Sequence, residues 1–209
     1  MRIRHAALFL ALAAAASCAP RARPLVGSPV PAALPDTRLT GAQRIVFRWE
    51  FEDGTLVARG EGLARIAAPD SVRLDLFVDG GMGGGTTVLI GDSLSAPGGA
   101  MVRRLLPPPP LLWAALGRLA VPPAADTVAR RDGELLRADI GAGTVYRATF
   151  AGDALRRLER IDDGRMHEWI ARPDSQRVEY RHEASGRSLK LTITRADSVE
   201  RFDAEIWQR

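Results

Sequence analysis

From Arg44 to Glu52 the chain alternates: Ile45, Phe47, Trp49 and Phe51 fall on one side, and Arg44, Arg48, Glu50 and Glu52 on the other. A period of two sets apolar side chains on one face of a β-strand and charge on the opposite face. The same pattern returns over residues 55–67, after an Asp53-Gly54 hairpin turn, with Gly60 and Gly62 where a strand could bend or bulge. Beyond a turn at Pro69-Asp70, Val72, Leu74, Leu76 and Val78 alternate with Ser71, Arg73, Asp75 and Asp79, and Phe77 is the one large apolar residue on the outer side. Residues 86–90 read as a fourth strand. Seven more follow over 134–140, 144–151, 154–161, 165–172, 176–183, 187–195 and 199–208, separated by Gly- and Asp-containing turns every ten residues or so. The expected fold class is mainly β: an incomplete antiparallel β-barrel of about 11 strands with one strongly apolar face.

One stretch breaks this pattern. Residues 105–119 read LLPPPPLLWAALGRL. Pro107 to Pro110 fit neither a sheet interior nor a helix interior and mark an extended elbow. Past them, Leu112, Leu116 and Leu119 recur at helical spacing, with Leu111, Trp113 and Ala115 widening the stripe. A helix of roughly ten residues does not hold in water alone, so it must dock, as a lid or plug on the concave face of the sheet. Burying its large side chains there contributes about 1.5–3 kcal/mol each. A helix packed permanently into a filled core is the alternative reading.

Ahead of the strands, residues 1–17 combine a basic start, an apolar run from Ala6 to Ala16 and small residues before Cys18. This is an export signal, too short for a lasting transmembrane helix. Ala15-Ala16-Ser17-Cys18 resembles a bacterial lipobox, which implies an acylated Cys18 and a membrane anchor. The chain has a single cysteine, and it stands at this position. Ala19 after it, in place of aspartate, implies the periplasmic face of the outer membrane. Residues 18–40 carry Pro20, Pro24, Pro29, Pro31 and Pro35 without periodicity and are expected to form a disordered tether, reaching roughly 70 Å when extended. The β-domain is expected over residues 41–209.

Composition narrows the function classes. The 29 basic residues include Arg2 and Arg4 of the leader, leaving 27 against 25 acidic ones, interspersed along the strands. That balance predicts no nucleic-acid partner. One cysteine excludes a disulfide framework, and His167 and His182 lack companion ligands, so no metal and no cofactor is expected. Asp79 to Gly85 lacks the lysine of a phosphate loop. Its one apolar residue, Met82, is a candidate for contact with a membrane or acyl chain. Gly91-Asp92-Ser93-Leu94 resembles the nucleophile block of GDSL-type esterases, but that chemistry also needs an asparagine donor and a late Asp-x-x-His. The chain has no asparagine and no such motif. The expectation is therefore a protein that is not an enzyme.

Three stretches carry a resemblance to a known family: the strand pair Val46 to Gly62, the Leu106-Pro107 to Leu116-Gly117 segment, and SLKLTITR at Ser188 to Arg195. Together with the lipobox they resemble the LolA/LolB lipoprotein-localisation superfamily. The resemblance implies an incomplete barrel whose helices close an apolar cavity that takes lipid or lipoprotein acyl chains. On that expectation Phe47, Trp49, Leu74, Leu76, Leu112, Trp113 and Leu116 line the cavity. The strand expected over 199–208 and the weakly apolar Met82 loop depart from the family pattern.

Overall fold

A computed structural model of the chain describes residues 19–54, 56–81, 83–97 and 99–208. Cys18, the leader before it and Met82 lie outside the described residues. Thirteen strands form one antiparallel sheet: β1 (Ser28–Val30), β2 (Ala42–Asp53), β3 (Leu56–Ala67), β4 (Ser71–Val78), β5 (Gly84–Ile90), β6 (Ser93–Ser95), β7 (Val128–Asp132), β8 (Leu135–Ile140), β9 (Thr144–Ala151), β10 (Ala154–Asp162), β11 (Arg165–Ala171), β12 (Arg177–His182) and β13 (Arg187–Val199). Their order is β1-β7-β8-β9-β10-β11-β12-β13-β2-β3-β4-β5-β6. The two ends do not pair, so the sheet is an open, incomplete barrel, with β13 against β2 joining the late meander to the early one. Register shifts at Leu155/Arg157, Arg160/Ile161 and Ile193/Arg195 mark bulges, the ordinary means of curving a sheet around its own core.

Two short helices, α1 (Gly99–Leu105) and α2 (Pro109–Ala115), fill the hollow. The second starts inside the proline run: Pro109 and Pro110 occupy its first turn, where a missing N–H costs nothing. Its C-terminus closes in a Schellman motif, with the Arg118 N–H donating to the Trp113 carbonyl, the Gly117 N–H to that of Ala114, and Gly117 at φ +86°. Leu111 through Ala115 are all buried, so α2 is a plug enclosed on every side. The first helix was not expected from the sequence.

Other expectations change. Gly60 and Gly62 make no bulge, since β2 and β3 pair without a register break from Ala42↔Ala67 to Asp53↔Leu56. Instead they make room, because a Cβ at Gly62 would overlap the Phe47 ring and one at Gly60 would meet Trp49. The final expected strand is absent: β13 itself runs to Val199, and Ala204–Trp207 is a 3-10 turn against β4. Its Ile206 carbonyl accepts a hydrogen bond from Arg73.

The largest correction concerns residues 19–40, expected as a loose tether. They wrap the free edge of the sheet. Arg21 bridges to Arg165, the Ala22 N–H donates to the Gly164 carbonyl, and Arg147 on the outer face donates to the carbonyl of Arg23. Residues Ser28–Val30 then pair with β7, and Val30, Leu34 and Leu39 pack against the core. Prolines forbid an interior strand but suit an edge strand, whose outer N–H groups have no partner to lose. Covering β7 also removes an exposed pairing edge.

Candidate functional site

The concave face around β2 and β13 leaves one apolar cavity beneath α1 and α2. Ile45, Phe47 and Trp49 of β2, Leu74 and Leu76 of β4, and Leu189, Leu191 and Ile193 of β13 form its wall. Ile170 on β11 and Val178 and Tyr180 on β12 extend it, and Leu105 to Pro107, Leu112, Ala115 and Leu116 close it. Alternation explains why these side chains meet, since each is in phase with the inward positions of its strand. Trp49 is buried, and its indole N–H finds the Glu61 carbonyl at 3.0 Å, so the ring stays in the wall without an unpaired donor.

Six of the seven residues picked from the sequence line this cavity: Phe47, Trp49, Leu74, Leu76, Leu112 and Leu116. Trp113 does not. One position along a helix is a turn of about 100°, so with Leu112 facing the cavity Trp113 faces away. Its indole N–H donates to the Gly91 carbonyl at 2.6 Å, and the Arg118 guanidinium lies 4.6 Å from its ring centre.

The hollow is narrow, with a volume of about 50 Å³. One water needs roughly 10–15 Å³ by this measure, so the space holds a few methylene groups and not a whole acyl chain. Its half-exposed lining residues, Ile45, Leu116, Arg172, Leu191 and Ile193, set its mouth. Counting hairpins across the sheet, this mouth lies at the end that carries the 69–70, 91–92 and 173–176 turns. The β10–β11 turn, where Ala19 and Pro20 are held, belongs to the other end.

Sequence reasoning missed the polar groups on the inner face. Glu168 on β11 is 2% exposed, accepting from the Tyr180 hydroxyl at 2.8 Å and from Arg160 at 2.9 Å. Arg187 in turn donates to the Tyr180 oxygen at 2.7 Å. Burial, joined by the Glu168 charge, pushes the Tyr180 phenol far above its ordinary value, so it remains a neutral donor. Arg172, at the end of β11, donates to the Ala115 carbonyl, the C-terminal carbonyl of α2 left over by the Schellman pair. Burial, with the neighbouring Arg156 charge, lowers its pKa from the ordinary arginine value. The available signal was phase: Glu168 and Arg172 share the inward parity of Ile170.

The esterase-like letters fall in a turn. Gly91-Asp92 joins β5 to β6, and Ser93 opens that edge strand, while His167 and His182 belong to β11 and β12, with five or more strands between. His182 faces the Ser185 hydroxyl at 3.1 Å.

No protein-family profile and no curated protein matches the chain. Among solved structures, a LolA superfamily protein from Nitrosomonas europaea superposes with a TM-score of 0.52 at 9% identity, covering 83% of this chain and 93% of that one. An outer membrane lipoprotein-sorting domain from Vibrio parahaemolyticus gives 0.47 at 6% identity, with 80% and 89% covered. The chain thus has a LolA-like fold, an open antiparallel sheet around a short helical insert.

Proposed function

We propose that this protein is an envelope lipoprotein that binds lipid or lipoprotein acyl chains in the hollow of its half-barrel and serves lipid or lipoprotein trafficking at the outer membrane, without covalent chemistry. The observation that carries the reading is the lining. Aliphatic and aromatic side chains from β2, β4, β13 and α2 converge on unfilled space, where an alkyl chain gains the same apolar contacts that α2 now supplies. The LolA-like fold supports it. Because the cavity as it stands takes only a few methylenes, the reading requires α2 to move outward when a chain enters. In the proposal Cys18 is acylated and holds the protein to the periplasmic face of the outer membrane, with Met82 a candidate membrane contact.

The small volume also favours a second reading, a structural or protein-binding envelope lipoprotein whose plug never leaves. One experiment separates them. The mature chain carrying Cys18→Ser is purified from cells without detergent, assayed for bound lipid by mass spectrometry, and titrated with an apolar dye. Retained lipid, or dye displaced by fatty acid, with both lost when Ala64→Leu, on the β3 part of the cavity wall, fills the hollow, is the expected result. Absence of both in a folded protein removes transport and leaves the structural reading. Radiolabelled palmitate incorporated by the wild type and lost in Cys18→Ala checks the anchor.

A further inference from the structure

Half-buried and buried guanidinium groups of this sheet are mostly neutralised: Arg65 and Arg73 meet Asp75, Arg147 meets Asp139, Arg157 meets Glu159, and Arg160 meets Asp162 and Glu168. Arg172 at the cavity mouth and Arg156 beside it in the sheet are not. Arg172 lines the apolar hollow, and among the described residues its side chain meets the Ala115 carbonyl and no carboxylate. Arg156, beside it, is the bulged residue between Leu155 and Arg157, and its carbonyl accepts from the Arg172 N–H at 2.7 Å. It too has no acidic partner among the described residues. A bulge re-aims a side chain, and here it brings a second cation toward the first. Their repulsion and the loss of water around Arg172 both cost stability, and nothing within the fold offsets them beyond one helix-end carbonyl. Next to Gly117, where a Cβ would stand 3.6 Å from the Arg172 guanidinium, Arg118 has a buried Nη1 with no hydrogen-bond partner among the described residues.

From this we infer that the site takes an anionic amphiphile: one alkyl chain in the apolar hollow and a carboxylate or phosphate head on Arg172, with Arg156 beside it. A guanidinium presents paired donors that match either oxyanion, and the apolar surroundings strengthen the contact. The inference rests on the acyl-chain reading above and adds the charge of the head group and its place at the mouth.

The test compares three probes on the lipid-free mature chain carrying Cys18→Ser: palmitate, a palmitoyl lysophosphatidate, and uncharged monopalmitoyl glycerol, each by displacement of the same apolar dye. At least one anionic probe binds about tenfold or more tightly than the uncharged one. Preference for palmitate assigns a carboxylate head, preference for the lysophosphatidate a phosphate. In Arg172→Gln that ratio collapses toward one, while Arg172→Lys keeps most of it. The ratio is the readout because losing the Ala115 hydrogen bond loosens α2 for all three probes alike. Arg156→Gln, which leaves the Arg172–Ala115 hydrogen bond in place, lowers the ratio independently. Equal affinity for all three probes overturns the inference and leaves the acyl-chain reading standing. No binding of any probe to the folded protein removes both.

Discussion

At the scale of single residues, two positions show how side chains are fitted to this sheet. Gly62 faces Phe47 across β2 and β3, and the ring occupies the volume a Cβ would need. Gly62→Ala therefore drives the Phe47 ring out of place in a wall that has little slack. The expected loss is about 1–3 kcal/mol, read as a lowered urea midpoint with an unchanged slope. Asp75 is the second. It is 9% exposed on the outer face of β4, paired with Arg65 and Arg73 and accepting from Thr86 at 2.8 Å. Burial by itself would raise its pKa, but the hydrogen bonds from Thr86 and Arg73 and the two guanidinium charges outweigh it, and the carboxyl titrates below the ordinary aspartate range. A depressed folded-state pKa contributes stability that is present above the unfolded value of about 3.9 and is lost as pH falls through the folded one. Thermal melts between pH 6 and 2.5 should show the wild type losing this contribution on the acid side, and Asp75→Asn should flatten that part of the profile. The same variant at pH 7 should be less stable by about 1–3 kcal/mol, since two arginines then share one uncharged acceptor.

Among the elements, α2 is the one that decides between a cavity and a solid interior, and its ends are built from different material. Prolines preset the first turn, and Gly117 closes the last with a positive φ that an alanine adopts only at a cost of about 1–2 kcal/mol. Gly117→Ala should leave the sheet intact and selectively speed amide exchange in residues 111–118. Uniform acceleration across the sheet would instead place α2 in the global folding unit. This helix also shows where the sequence was legible. Alternation at Ile45 to Phe51, Val72 to Leu76 and Leu189 to Ile193 spells strands with a single apolar face, and those strands are where the sequence places them. Four of the wall residues, Phe47, Trp49, Leu74 and Leu76, followed from that phase, and Leu112 and Leu116 from the helical spacing of the insert. What escaped were features without periodicity: the seven-residue α1, the three-residue β1 and β6, and the five-residue β7, each held by neighbours and not by its own pattern. Trp113 was misplaced because an all-apolar helix does not reveal which of its sides is which. Arg172 was passed over because a strand-terminal arginine looks like a solvated end until its phase with Ile170 is counted.

For the whole molecule, the decisive arrangement is the path of residues 19–40. They begin at the β10–β11 turn, cross the outer face past Arg147, pair with β7 and end against the segment that follows α2, where the Thr37 hydroxyl accepts from the Leu119 N–H at 2.8 Å. A tether of about 70 Å reach is thereby taken up almost entirely by the domain. The consequence is geometric: residues 19 and 20 sit at one end of the barrel, and the cavity mouth opens at the other. The two parts of this strap carry different weights. Residues 19–27 touch mainly polar outer groups, through the Arg21–Arg165 bridge, backbone bonds at Pro20 and Ala22, and arginine side chains donating to the carbonyls of Ala19, Arg23 and Gly27. Residues 28–39 supply a strand to the free edge and three half-buried apolar side chains, Val30, Leu34 and Leu39, worth roughly 1 kcal/mol apiece. Chains truncated to begin at residue 28 should therefore unfold within about 1 kcal/mol of the mature protein in urea. Chains that begin at residue 41 should lose roughly 3 kcal/mol or more and elute as dimers or larger species, because β7 becomes an open edge. If both truncations behave alike and stay monomeric, the segment is a passive leash and the edge is protected by something other than β1.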